Sequence, residues 1–278
     1  MSIKRFSCIL IGTLCAAARE QLKQNPRDHG WQYPEDAEKW GGLCKSGTRQ
    51  SPIHIHPGTV VKGQMKNLAL VNYHRKFHYF KLVNNGHGVK LQIDPRLNIM
   101  IKNGPLNNYY ILEDIHWHWN GTEHTIEGKK DERLVLEMHL VHRNIKYKTL
   151  KEAMGNKDGI AVLGCLFKES ASPNPVLDKI FRLIPKVTNP NQVTYVQEPF
   201  SIRQLLPPSH AYYTYQGSLT TPPCKEVVTW IIFRGISHIQ RDQIGQLSQV
   251  KDSRGRRIIT NCRDRKPIYN REIYLNRH

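Results

Sequence analysis

Three histidines in two short apolar segments have the spacing of a metal site. His116 and His118 lie two residues apart within residues 115–119, so on a β-strand both imidazoles project from the same face. His139 lies in a second segment of this kind, residues 136–141. Three neutral imidazoles with one open position are typical of a catalytic zinc site, whereas a structural site closes its shell with four protein ligands. We therefore predict that these three histidines bind Zn²⁺.

Carboxyl groups close to these histidines strengthen the prediction. Metal-bound imidazoles usually donate their second ring N–H to a carboxylate or a backbone carbonyl, and Asp114 and Glu137 are placed to accept such hydrogen bonds. Two further histidines have a different predicted role. We expect His124 and His142 to be buried hydrogen-bonding groups, because His142 falls on the strand face opposite His139.

The rest of the chain predicts a sheet that could carry these side chains. Short alternating or apolar segments recur, and their length and β-branched content indicate strands at residues 80–83, 89–93, 134–141, 160–167 and 227–233. Helical periodicity is clearest at residues 176–184, with Asn174 as N-cap and Pro175 at the first helical position, and is weaker at residues 241–247. No repeat or Gly/Ser linker interrupts the chain, so we predict a single sheet-dominated domain with helices on its outside.

The N-terminus has the pattern of a secretory signal peptide. Two basic residues precede an apolar run at residues 6–15 and three alanines at residues 16–18 that suit cleavage. The run is shorter than the roughly 20 apolar residues that cross a bilayer. We predict a signal peptide at residues 1–18 and a secreted, extracellular mature domain at residues 19–278, without a transmembrane segment.

Secretion would place four cysteines in an oxidising compartment. Cys44, Cys165, Cys224 and Cys262 remain after cleavage, and disulfides persist outside the cell. Four cysteines allow three full pairings, and partial pairing is also possible. The spacing alone therefore leaves the pairing open.

The chain is strongly basic. Its formal net charge is +18, and residues 251–278 alone contribute nine Lys and Arg against three Asp and Glu. Such a surface could bind a polyanion such as an acidic glycan or matrix, while a solvated basic face that aids solubility explains the charge equally well. We expect no nucleic-acid partner for an exported protein.

The same residues resemble the alpha-class carbonic anhydrases over essentially the whole mature chain, from Trp31 to Arg271. The resemblance is carried by seven segments together. They are residues 31–33 (WQY), 49–53 (RQSPI), 84–87 (NNGH), 116–119 (HWHW), 123–125 (EHT), 137–142 (EMHLVH) and 217–224 (GSLTTPPC).

This resemblance implies a mainly β (α+β) domain with a large twisted, mostly antiparallel sheet and a few short peripheral helices. It also implies a zinc lyase (carbonate dehydratase) that reversibly hydrates carbon dioxide to bicarbonate and a proton. The zinc ligands fall on His116, His118 and His139, and a zinc-bound hydroxide would be the nucleophile.

The resemblance assigns the remaining site residues as well. Thr220 and Glu123 would orient the hydroxide, and His87 would be the proton shuttle. The substrate pocket would be formed by Val141, Val162, Leu219, Thr220, Thr221 and Trp230, and Tyr33, Asn85, Thr221 and His87 would line its polar half. In secreted relatives a disulfide joins the positions of Cys44 and Cys224, which implies that Cys165 is a buried thiol and Cys262 is unpaired.

Several residues depart from the family pattern. Asp114 replaces a frequent glutamine, and Lys90 replaces a neutral amide that faces the cavity. Asn120 begins an Asn-Gly-Thr glycosylation sequon, but its strand spacing from His118 predicts an inward side chain, and we expect no glycan there.

Two other functions are compatible with parts of the sequence. A carbonic anhydrase-like protein that mainly binds glycosaminoglycan would use the basic surface, but it would not need the full histidine set. A hydrolytic zinc enzyme is disfavoured because no His-Glu-x-x-His motif is present.

Overall fold

The computed structural model describes residues 31–33, 39–128 and 133–277. The described residues from Gln32 onward belong to one compact unit. The predicted signal peptide at residues 1–18 lies outside the described residues. No described helix is long and apolar enough to cross a membrane.

Strands dominate the described residues. In chain order they are β1 (His54–Ile55), β2 (Val61–Lys62), β3 (Ala69–Val71), β4 (Lys76–Phe77), β5 (Phe80–Asn84), β6 (Val89–Gln92), β7 (Met100–Lys102), β8 (Tyr110–Trp119), β9 (Thr125–Ile126), β10 (Leu134–Asn144), β11 (Ile160–Ser170), β12 (Val193–Val196), β13 (Phe200–Ser201), β14 (Tyr212–Gly217), β15 (Val228–Gln240) and β16 (Tyr274–Asn276). The mainly β fold class predicted from the sequence is confirmed.

Most of these strands form one large mixed sheet. Its order is β12-β5-β6-β8-β10-β11-β15-β14-β16-β2, with β7 pairing with both β3 and β8. Neighbouring strands are mostly antiparallel, but β11 with β15 and β16 with β2 are parallel pairs. The four longest strands, β8, β10, β11 and β15, lie side by side and form the centre of the sheet.

Along the central strands, successive side chains point to opposite faces of the sheet. On β8, Ile115, Trp117 and Trp119 point into the larger apolar core, so His116 and His118 must point to the opposite face. On β10, Met138 and Leu140 join the same core, and His139 faces away from it. The three predicted ligands therefore share one face of the sheet.

Four short α-helices lie among the described residues: α1 (Leu43–Ser46), α2 (Leu150–Ala153), α3 (Pro175–Phe181) and α4 (Arg241–Leu247). The predicted cap of α3 is confirmed, because the Asn174 side chain accepts hydrogen bonds from the backbone N–H groups of Val176 and Leu177. Helix α4 has the predicted bounds. Helix α3 ends before Ile184, which starts a separate 3₁₀ turn.

Candidate active site and metal centre

The strand register brings the three histidines together. His116 of β8 lies directly opposite His139 of β10, and His118 lies opposite Glu137. The ring centroids are 5.2 Å apart for His116 and His118, 5.3 Å for His116 and His139, and 4.5 Å for His118 and His139. One ring nitrogen from each residue lies within 4.8 Å of the other two, which is the convergence that a metal ion needs.

Each imidazole has one nitrogen held by the protein. His116 Nδ1 lies 2.8 Å from Asp114 Oδ1, and His118 Nδ1 lies 2.7 Å from the Asn261 carbonyl oxygen. His139 Nε2 lies 2.8 Å from Glu137 Oε1. If these nitrogens donate, the second nitrogen of each ring carries a lone pair, which leaves Nε2 of His116 and His118 and Nδ1 of His139 as the possible metal ligands.

The residues present fit zinc. Among the described residues the buried Nε2 atom of His118 has no hydrogen-bond partner, an arrangement that is costly unless a ligand completes it. Burial lowers the pKa of His118 well below its usual value and that of His139 to about 4. These two imidazoles are therefore neutral at physiological pH, the form that binds a metal.

A second group of potential ligands shares His139. His124, Glu137 and His139 also place ligand atoms within 4.8 Å of one another. Both nitrogens of His124 are used, however, because Nδ1 lies 2.7 Å from Glu137 Oε1 and Nε2 lies 2.6 Å from the Tyr215 hydroxyl. His124 is thus a buried hydrogen-bonding group.

The other histidine for which we predicted a structural role is also buried. His142 Nε2 lies 2.6 Å from the Tyr73 hydroxyl. Burial lowers the pKa of His142 to about 3, so the ring is neutral in the folded protein.

Glu137 holds two imidazoles at once. Its Oε1 atom contacts both His124 and His139, and its Oε2 atom accepts the backbone N–H of His124 at 2.7 Å. Burial disfavours the ionised carboxylate, but the positive potential of His124 and these hydrogen bonds outweigh burial and hold the pKa of Glu137 below its usual range. A charged acceptor fixes the orientation of the His139 ring.

Asp114 and Lys90 form a charged pair beside His116. Lys90 lies directly across the strand pair from His116, and its Nζ atom is 3.9 Å from Asp114 Oδ2. Burial raises the pKa of Asp114, but Lys90 and the hydrogen bond to His116 outweigh this effect and lower it. The two departures from the family pattern are therefore neighbours with opposite charges.

Glu123 is fully buried next to His118. Its Oε1 atom accepts the backbone N–H of Arg263 at 3.0 Å and lies 3.4 Å from His118 Nδ1. Burial and the nearby Glu137 charge raise the pKa of Glu123 well above its usual value, while the Arg263 N–H and the nearby Thr220 side chain act in the opposite direction. The pairing of Thr220 with Glu123 that the family resemblance implies stays a prediction.

The side chains expected to form the substrate pocket belong to one apolar cluster. Val141, Val162 and Trp230 lie in register across β10, β11 and β15, and Leu219 packs against the same cluster. The indole N–H of Trp230 donates to the Ser218 carbonyl at 3.1 Å, which fixes the ring. This cluster covers the same sheet face as the histidines.

The polar residues expected at the pocket differ in exposure. Asn85 is exposed, whereas Tyr33, His87 and Thr221 are half-buried. Thr221 follows Thr220 directly in the loop at residues 217–224, and His87 lies in the turn between β5 and β6.

A dense network holds the loop that carries Thr220. Cys44 and Cys224 form a disulfide with their Cα atoms 5.0 Å apart, the pairing that the resemblance implies. The Arg263 guanidinium donates to the Cys44 carbonyl and to Gln50 Oε1, both at 2.9 Å, while its backbone N–H donates to Glu123. Arg263 therefore connects the buried carboxylate to the disulfide.

We expect the Cys44→Ser/Cys224→Ser variant to lower the free energy of unfolding by up to about 5 kcal/mol, because the bridge closes a loop of 180 residues. Urea denaturation would measure the loss. The matched control is Cys262→Ser, which removes a free, half-buried thiol and should change stability little. Equal unfolding midpoints for the double variant and the unmodified protein would contradict the expectation.

The two other cysteines that the structure describes, Cys165 and Cys262, are free. Cys165 is buried in the apolar core and Cys262 is half-buried. Burial raises the pKa of both thiols, so neither is a reactive thiolate.

One sequence-based expectation was wrong. Asn120 is exposed rather than inward-facing, because the chain turns there with a positive φ of 57° and leaves β8. Its side-chain amide donates to the Ile259 carbonyl at 2.5 Å. Burial therefore does not prevent glycosylation of Asn120.

Two supporting residues were missed by sequence reasoning. The backbone carbonyl of Asn261 orients His118, and the backbone N–H of Arg263 holds Glu123. Backbone groups have no side-chain signature, so no pattern in the sequence could have identified these two contacts.

Three converging histidines on one face of a large mixed sheet indicate the class of protein. A sequence model of the eukaryotic-type carbonic anhydrase family matches residues 34–277. The chain belongs to this family, and it is an enzyme that hydrates carbon dioxide.

Individual relatives support this assignment. The chain is 33% identical to carbonic anhydrase 6 of Mus musculus over 263 residues, which cover 88% of this chain and 81% of that protein. It is 34% identical to carbonic anhydrase 6 of Canis lupus familiaris over 268 residues, covering 89% and 81%. It is 33% identical to carbonic anhydrase 7 of Homo sapiens over 260 residues, covering 88% and 96%.

Proposed function

We propose that this enzyme is zinc-dependent, with His116, His118 and His139 as the ligands. The observation that carries the proposal is the convergence of three imidazole nitrogens, each on a ring whose other nitrogen is held by Asp114, Asn261 or Glu137. When bound, zinc supplies hydroxide at neutral pH by lowering the pKa of a water to about 7.

The chain's own residues direct the attack. The Thr220 hydroxyl would donate a hydrogen bond to Glu123, which lies close enough to affect its pKa, and the hydroxyl oxygen would then accept a hydrogen bond from the attacking hydroxide. This fixes the direction of the nucleophile's free lone pair. Carbon dioxide is apolar and takes its position against Val141, Val162, Leu219 and Trp230, where no strong hydrogen bond competes with the attack.

The reaction releases a proton that must leave the site. A group with a pKa of about 7 releases protons to water at only about 10³ s⁻¹, because the reverse step is limited by diffusion. Carbonic anhydrases reach about 10⁶ s⁻¹. An acceptor with a matched pKa is therefore needed, and His87 has the suitable side chain at the turn between β5 and β6.

We expect His87→Ala to lower kcat at least about tenfold in weak buffer while kcat/KM barely changes, because proton transfer follows the chemical step. Added imidazole should restore kcat. Stopped-flow carbon dioxide hydration with and without imidazole measures both constants. An unchanged kcat in weak buffer would show that another group transfers the proton.

Secretion is part of the same proposal. The basic and apolar pattern at the N-terminus is typical of a signal peptide, and the Cys44–Cys224 disulfide is typical of an oxidising compartment. The exposed arginines 254, 256 and 257 are the residues that an acidic glycan would contact first. We expect heparin to bind this surface at low salt and to bind more weakly as the salt concentration rises, because salt screens exposed charges.

The whole proposal is tested by metal analysis combined with stopped-flow hydration of carbon dioxide. We expect one zinc per chain and an activity that is lost with zinc and returns when zinc is added. Full activity in protein freed of zinc would overturn the proposal.

A further inference from the structure

The turn that carries His87 is fixed by a distant part of the chain. Residues 85–88 connect β5 to β6, and residues 251–257, which we call the basic loop, pack against this turn. The backbone N–H of Ser253 donates to the Gly86 carbonyl at 3.0 Å. Ser253 and Gly86 are 167 residues apart in the sequence.

Close packing explains why Gly86 must be glycine. Its φ is +85°, and a Cβ atom built there would lie 2.1 Å from the Ser253 hydroxyl. Gly88 is similarly confined, because a Cβ atom there would lie 3.1 Å from the Asn261 side chain. The absence of a Cβ atom at both glycines thus lets the turn pack tightly.

Asn84 is the centre of this contact. Its side chain is fully buried, and both of its amide hydrogens are used, one to the Thr188 carbonyl and one to the Lys251 carbonyl, each at 3.0 Å. Its Oδ1 atom accepts the Gly86 backbone N–H at 2.8 Å. One side chain thus joins the turn to two other segments.

The basic loop is itself internally braced. Asp252 is 4% exposed, and its Oδ1 atom accepts the backbone N–H groups of Arg254 and Arg256, both at 2.9 Å. Its Oδ2 atom accepts from the Arg256 guanidinium at 3.0 Å. The loop therefore presents Ser253 to the turn in a defined position.

We infer that Asn84 and the basic loop are the device that positions His87 for proton transfer. The inference rests on the proposed shuttle role of His87. Asn84 and Asp252 do not act on the proton themselves. They are positioning residues that hold the backbone from which the His87 imidazole projects, and the distance of a proton-transfer group from its partner strongly affects the rate.

The test compares Asn84→Ala and Asp252→Ala with the unmodified zinc enzyme. We expect each variant to lower kcat in weak buffer about tenfold, less than the roughly hundredfold loss that a 1 Å misplacement can cause. Because only proton transfer is affected, kcat/KM should stay within about twofold and imidazole should restore kcat.

Amide hydrogen exchange gives a second readout that does not depend on activity. The Gly86 backbone N–H donates a hydrogen bond to Asn84 Oδ1, so it should exchange faster in Asn84→Ala. In Asp252→Ala the Ser253 amide should exchange faster.

The matched control is Asn144→Ala. Asn144 is another fully buried asparagine, and its side chain bonds the Asp158 carbonyl and the Lys146 backbone N–H, both at 3.0 Å. The Asn144→Ala variant should be less stable than the unmodified protein but should keep its kcat in weak buffer. If Asn84→Ala fails to fold, Asp252→Ala still tests the inference because it changes only the loop.

His87→Ala separates the possible failures. A loss of kcat in His87→Ala with full kcat in Asn84→Ala and Asp252→Ala would overturn the inference and leave the shuttle intact. A loss in these variants that imidazole does not restore would also overturn it, because the damage would then be general. Full kcat in all three would overturn the shuttle role together with the inference.

Discussion

His139→Ala is expected to lose bound zinc and to hydrate carbon dioxide more than about a hundredfold more slowly, because even partners that only orient a ligand contribute about 10- to 100-fold. His139 lies on β10 opposite His116, with one nitrogen held by Glu137, so its removal leaves two of the three proposed ligands and a cavity. Metal analysis after dialysis and stopped-flow hydration measure the two losses.

The matched control for this prediction is His142→Gln on the same strand. His142 is fully buried, but its partner is the Tyr73 hydroxyl and not the metal centre. We expect this variant to be less stable and to keep one zinc per chain. Wild-type zinc content and activity in His139→Ala would show that the ligand assignment is wrong.

Thr220→Val is the second large prediction. It keeps the branched shape of a buried side chain and removes only the hydroxyl, so zinc content should not change. We expect kcat/KM to fall about a hundredfold, the size of the loss when one oriented hydrogen-bonding group is removed from a reacting centre. The physical reason is that Glu123 no longer fixes the direction of the nucleophile through Thr220.

Thr220→Ser is the control, because it keeps the hydroxyl and should retain most of kcat/KM. Stopped-flow initial rates in strong buffer measure the chemical step without interference from proton transfer. If Thr220→Val and Thr220→Ser had equal rates, the hydroxyl would have no part in orienting the nucleophile.

Some features of this protein follow from local sequence alone. The two-residue spacing of His116 and His118 puts both rings on one strand face, because side chains alternate along any strand. Asn174 and Pro175 fix the start of α3, because the capping hydrogen bonds form within one turn. Such features need no distant partner.

The family resemblance added predictions for Thr220, Glu123 and the disulfide, and the structure confirms the disulfide. Spacing alone left three full pairings open, since cysteines carry no information on which partner is near. Cys44 and Cys224 are separated by 180 residues, and the fold brings their Cα atoms within 5.0 Å.

Only the tertiary structure decided the contacts made by backbone groups and across long sequence separations. The Asn261 carbonyl that orients His118 and the Ser253 N–H that holds Gly86 have no side-chain pattern to read. The pairing of Lys90 with Asp114 depends on the register of β6 against β8. The sequence by itself thus determined which residue types could bind a metal ion. The packing of the sheet and its loops decided which ring nitrogen of each histidine is held by the protein and which one is left to face the metal site.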